Sequence, residues 1–229
     1  MNLDSGKIDK LIGIILVGTI FVLFYNMVNL QNVMALGSQS SQAAIQGIQG
    51  GSTVSSLDSV IPKGVPPIYG TELGISFDDV SAYDQAKADS TIGKLGLLDQ
   101  QLELTGQDLE RYINVLYKKE NGISCEYCCG ARAIIFENGQ AACGCAHSYA
   151  MRGLAKYLIL NHGAEFSDDE LLEEVGKWKT LFFPSQITQK ASILESQGIE
   201  LNYINLASNK YRGIEEGKSG TGAGMVGGC

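Results

Sequence analysis

Residues 125–147, CEYCCGARAIIFENGQAACGCAH, hold five of the chain's six cysteines and one of its two histidines. The spacing is C-x2-C-C-x13-C-x-C-x-H, running through Cys125, Cys128, Cys129, Cys143, Cys145 and His147. Thiolates and imidazole are the ligands of zinc, copper(I) and iron–sulfur clusters. Packing gives no reason to gather so many in one window, so the stretch predicts a thiol- or metal-dependent site. It also sets the local fold. A tight C-x2-C turn comes first. Ala133–Phe136, then Glu137-Asn138-Gly139, then Gln140–Ala142 read as a β-hairpin with an Asn-Gly turn. The C-x-C-x-H follows where helical periodicity begins. Knuckle, hairpin and helix start, in that order, make a treble-clef-like zinc module, in which knuckle and helix N-terminus supply two ligands each.

The expected metal ligands are Cys125, Cys128, Cys143 and Cys145, with Cys129 and His147 as fifth and sixth candidates. Gly130 and Gly144 let backbone amides approach the sulfurs, and the dipole of a helix N-terminus favours thiolate over thiol. Cys143 and His147 are four apart, and share a face if the helix starts early. Zinc or copper is the favoured metal, and an iron–sulfur cluster is the third option. Two other readings stand beside metal binding: thiol–disulfide exchange, with Cys125 attacking and Cys128 resolving, and a small disulfide framework. Adjacent Cys128–Cys129 and the Cys143-Gly144-Cys145 pair favour a common centre over separated bridges.

Helices are legible on either side of this block. Thr105 is the expected N-cap of a first helix, with Leu109, Ile113, Leu116 and Tyr117 at helical spacing and Gly122 closing it. A second runs from about His147 to Asn161, ends at Gly163, and turns Ala150, Met151, Leu154, Ala155 and Leu158 inward. Ser167 and Glu170 form a capping box for a third, which lines up Leu171, Val175, Trp178 and Phe182 before Pro184. Ser185 is the expected cap of a fourth, with Ile187, Ala191 and Leu194, and a weaker helix spans about 82–98. Trp178 reads as core, His162 as a helix-end cap, and the acidic residues from Asp168 to Glu174 as a solvated, dipole-favoured face.

Farther out the composition changes. Leu11–Leu30, LIGIILVGTIFVLFYNMVNL, is an uncharged run of 20 residues. At ~1.5 Å per residue it spans a ~30 Å hydrocarbon core. It is too long for the apolar region of a cleaved signal peptide, so an uncleaved transmembrane helix is expected. Lys7 and Lys10 precede it and no Lys or Arg follows until Lys63, which places the N-terminus in the cytoplasm and the rest outside. The expected organisation is a cytoplasmic segment 1–10, the transmembrane helix 11–30, a Gln/Ser/Gly-rich flexible linker 31–60, a helical Cys-rich domain 61–212, and a mobile Gly-rich tail 213–229 ending in Cys229. An arm of that length reaches ~22 Å, far enough for Cys229 to act as a sixth thiol at the site.

The net charge of −8 and the lack of a basic stripe argue against a nucleic-acid partner. The expected partners are the membrane and an envelope protein. With only His147 and His162 in the chain, no Ser-His-Asp or Cys-His arrangement is legible outside the cysteine block. No glycine loop has the strand and helix that phosphate binding needs.

The block SCEYCCGARAIIFENGQAACGCAHSYAMRGLAKYLI, with the downstream SDDELLEEVGKWKTLFFP, resembles a family of membrane-anchored, Cys-rich archaeal proteins. That resemblance implies topology and no activity. Over roughly residues 105–183 the chain also resembles two bacterial groups, on Cys125, Cys128, Gly144, Cys145 and the helix start at Ser167–Leu172. One comprises lipoproteins with a Pro-Cys-Tyr-Cys-Gly-Cys motif, the other the thioreductases of cytochrome c maturation. Both imply an anchored, extracytoplasmic helical domain. This chain departs from them in carrying CEYCCG and CGCAHS on either side of a hairpin. The expectation is therefore a mainly α protein with a single N-terminal span and an external treble-clef-like Cys/His metal site. A thiol–disulfide oxidoreductase of the envelope, or a disulfide-held interaction protein, are the alternatives.

Overall fold

Apolar residues three and four apart become the inward stripes of helices, and those stripes build one core. A computed structural model describes residues 60–215 and Val226, all within the compact unit Val54–Cys229. Among these residues the α-helices are α1 (Gly70–Leu73), α2 (Gln85–Gln101), α3 (Gly106–Ile113), α4 (Ala146–His162), α5 (Asp168–Phe182), α6 (Pro184–Ser196) and α7 (Tyr203–Ala207). The core gathers Leu95, Leu116, Ile134, Met151, Leu154, Leu158, Leu171, Val175, Trp178, Phe182 and Leu194.

The helix α4 carries the second half of the cysteine block and lies at the centre of the packing. Its closest partner is α2. Gly153 makes that approach, since a Cβ there would stand 2.0 Å from the Leu95 carbonyl oxygen. The capping box at Ser167–Glu170 starts α5 as expected: the Ser167 hydroxyl accepts from Glu170 N–H, and the Glu170 carboxylate accepts from Ser167 N–H. Trp178 is fully buried on the stripe, and its indole N–H donates to Tyr69 OH at 2.7 Å, docking the proline-rich segment before α1.

Several expectations are corrected. The β-hairpin does not form strands. Its remnant is one antiparallel bridge, Ile135 to Ala141, closed by Glu137-Asn138-Gly139 with Gly139 at φ 83°. The carbonyl of Ile134 also accepts from the Arg152 guanidinium, and its N–H donates to the Ile123 carbonyl, so this backbone is engaged outside the hairpin. The first helix does not run unbroken to Gly122. After Ile113 it widens into a π turn, Asn114–Lys118, and ends in a 3-10 turn, Lys119–Asn121. Thr105 is the N-cap of α3 as expected, although its hydroxyl makes no capping bond, and α6 is capped by Phe183 with Pro184 in its first turn rather than by Ser185. His162 grips the carboxylates of Glu72 and Glu165 instead of helix-end carbonyls. Glu174, expected on a solvated face, is buried and accepts from Tyr69 OH. Within the Gly-rich tail Val226 is buried, and its N–H donates to the Phe182 carbonyl at 3.0 Å.

No helix among the described residues is long and apolar enough to cross a membrane. The expected span Leu11–Leu30, the linker up to residue 59 and Cys229 lie outside the described residues.

Candidate metal centre

Four sulfurs meet where the knuckle faces the start of α4. The Sγ atoms of Cys125, Cys128, Cys143 and Cys145 all lie within 4.8 Å of one another. Cys145 is the hub, 3.2 Å from Cys125, 3.3 Å from Cys128 and 3.6 Å from Cys143. A tetrahedral zinc ion with Zn–S bonds of about 2.3 Å sets its sulfurs about 3.8 Å apart, so this arrangement matches a four-coordinate thiolate site in size.

The helix start fixes the hub. Cys145 is the N-cap of α4, and the Ser148 backbone N–H donates to its sulfur at 3.4 Å. The Ser148 hydroxyl lies 2.8 Å from the Cys125 sulfur and so joins the two halves. The Cys125 thiol donates to Cys145 and, with lesser help from His147 and Ser148, outweighs burial to hold the Cys145 thiol well below its ordinary range. Cys128 is pulled down to about 7, again chiefly by Cys125. Cys125 itself is pushed far up by sharing its proton with Cys128 and Cys145, and by burial.

The two remaining sequence candidates stand beside the four-sulfur group. Cys129 is exposed and its sulfur lies 2.6 Å from that of Cys143. Burial first, then the Cys143 thiol, raise Cys129 to about 12. His147 does not share a face with Cys143, because the helix begins only at Ala146. Its ring packs against Phe182 and Phe183, at centroid distances of 4.9 and 5.0 Å. His147 Nε2–H donates to the Val226 carbonyl at 2.8 Å. Burial opposes protonation of this ring, but the neighbouring Cys145 sulfur and the Val226 carbonyl raise its pKa above the ordinary value.

Residues without an obvious sequence signal hold the sulfurs in place. Glu126, inside the knuckle, has φ +58° and a buried carboxylate bound by Lys179 at 2.9 Å and Lys190 at 3.1 Å, both ammonium groups being fully buried. Gly213 N–H also donates to this carboxylate, at 2.8 Å. Arg152 pairs with Asp99 at 2.7 Å and donates to the Cys143 carbonyl at 2.8 Å, which ties the second sulfur pair to α2 and α4. Arg212 spans the carbonyls of Gly130, Ala131 and Arg132 just past the knuckle. Charge inside an apolar stripe is the signal that marks the lysines: Lys179 lies four residues after Val175, and Lys190 three after Ile187.

Comparison of the chain with protein-family models, curated proteins and solved structures gives no match. The cysteine cluster of this mainly helical chain is a site that could hold a metal ion, and function has to be argued from it.

Proposed function

We propose that the chain is a metal-binding protein whose Cys125, Cys128, Cys143 and Cys145 hold one zinc ion. The observation that carries this is the convergence of all four sulfurs within 4.8 Å, with Cys145 close to each of the others. Disulfide bridges pair sulfurs two by two and need no common hub. An iron–sulfur cluster places iron and sulfide between its cysteines and spreads them beyond the reach of a single ion. Four thiolates at this spacing suit zinc better than copper(I). Thiol exchange led by Cys125 is disfavoured because that residue is only 1 % exposed. The membrane setting is part of the proposal and rests on Leu11–Leu30 and the lysines before it.

Metal analysis of protein purified without oxygen, paired with thiol alkylation, tests the site. The expected result is one zinc per chain with the four ligand thiols protected, and loss of the zinc in Cys125→Ser and Cys145→Ser. Metal-free protein with reactive thiols supports the exchange reading, and metal-free protein with none supports a disulfide framework. Alkaline extraction of membranes carrying the full chain tests the anchor: the proposal expects the protein to stay in the pellet.

A further inference from the structure

Five thiols are present where a tetrahedral ion needs four, and the surplus one touches a ligand. Cys129 and Cys143 stand 2.6 Å apart, closer than the other sulfur pairs of the site at 3.2, 3.3 and 3.6 Å. Cys129 is also the exposed cysteine, whereas Cys125 and Cys143 are buried and Cys128 and Cys145 are half-buried. An oxidant arriving from solvent therefore meets Cys129 first, and the sulfur best placed to resolve the product is a ligand. We propose that Cys129 and Cys143 form a dithiol switch that releases the metal on oxidation by a low-molecular-weight disulfide. This rests on the zinc reading of the site.

The step balances as follows. The Cys129 sulfur attacks one sulfur of the disulfide RSSR, forming a mixed disulfide and expelling RS⁻, which takes up the Cys129 proton. Cys143 then attacks the Cys129 sulfur, expelling a second RS⁻ and closing the Cys129–Cys143 disulfide. The two cysteines lose two electrons and RSSR gains them. Two RSH leave, one carrying the proton that came from Cys129 and the other a proton from water. The ion is left with Cys125, Cys128 and Cys145, and a three-thiolate site yields zinc to a competitor.

Full-length protein loaded with zinc under anoxic conditions is titrated with glutathione disulfide in the presence of a chromogenic chelator, and the products are mapped by peptide mass spectrometry. The expected result is one Cys129–Cys143 disulfide for each zinc released, reversed by a reductant. Cys129→Ser should bind zinc with unchanged stoichiometry and keep it under the same oxidant. Equal release from Cys129→Ser, or a disulfide mapped to another pair, overturns the switch while leaving the zinc site standing. Starting protein that takes up no zinc overturns the zinc reading, and the switch falls with it.

Discussion

Glu126 shows how single residues hold this site. A non-glycine residue at φ +58° sits in a region that costs of order 1–3 kcal/mol and persists only where its surroundings impose it. Here the constraint is electrostatic: two fully buried lysines converge on one carboxylate. Burial drives Lys179 down to about 8, against the upward pull of Glu126. Removing the shared counter-ion leaves Lys179 with the Ala207 carbonyl and Lys190 with Glu215 at 3.8 Å, and breaking a buried pair costs about 3–5 kcal/mol. Glu126→Gln is therefore expected to lower the urea midpoint sharply and weaken zinc binding; a variant with unchanged stability and affinity would show that the knuckle needs no such brace. Arg152 plays the same part for the second sulfur pair. Arg152→Met leaves Asp99 with Lys156 alone and frees the Cys143 carbonyl, so a loss of similar size is expected by urea unfolding. The cysteines were legible because thiols are rare and their spacing is chemical. These braces were not, because Glu126 gains its meaning from Lys179 and Lys190, which are 53 and 64 residues away in sequence.

At the scale of elements, the stripes of α4 and α5 and the capping box of α5 follow from periodicity and short-range hydrogen bonding, both of which a sequence displays. The π turn after α3 does not, since its widening answers tertiary demands. Arg111 and Asn114, on either side of its start, both bind Asp168 at 2.8 Å at the head of α5. The hairpin stays at a single bridge: Ala142 N–H donates to Ile134 and Phe136 N–H to Gln140 across the turn, while Ile134 N–H turns away to the Ile123 carbonyl. Contact between α2 and α4 is legible only afterwards, because glycine is permissive everywhere but required where backbones touch. Gly153→Ala puts a methyl against the Leu95 carbonyl, and overpacking of this kind costs typically about 1–3 kcal/mol. A lower melting temperature is expected, with Gly93→Ala, where a Cβ meets nothing within 4 Å, as the control that does not lose stability. The link between α1 and α4 carries a pH dependence. His162 is held above its ordinary pKa by Glu165 first and Glu72 next, with burial opposing, and Tyr157 donates to the same Glu72 carboxylate. Its stabilisation is complete below the unfolded value of about 6.5 and fades as pH rises through the higher folded value. The effect is small because both carboxylates are half-exposed and screened. His162→Gln should remove this contribution, so that between pH 6 and pH 8 the urea midpoint of the unaltered chain falls relative to that of the variant.

For the molecule as a whole, the question is whether the metal makes the fold or only closes part of it. A small zinc module without a core is unfolded when the ion is removed. This unit is built differently: Leu154, Trp178, Phe182 and Leu194 are fully buried, and the helices that carry them meet without passing through the cysteines. The ligands, by contrast, sit on loop backbone held by Arg152, Arg212 and the Glu126 cluster. Zinc binding adds stability as RT ln(1 + [L]/Kd), about 2.7 kcal/mol at one hundred times Kd. At roughly 2–4 °C per kcal/mol for a domain of this size, a melting-temperature drop of about 5–10 °C is expected on chelation. Far-UV circular dichroism should stay helical, because the core helices do not depend on the ion. Proteolysis should then open the chain between Ile123 and Ala146, where the sulfurs no longer share a centre and the chain forms only isolated bridges. Collapse of the entire helical signal on chelation would mean that the four thiolates, and not the apolar stripes, decide whether this chain folds.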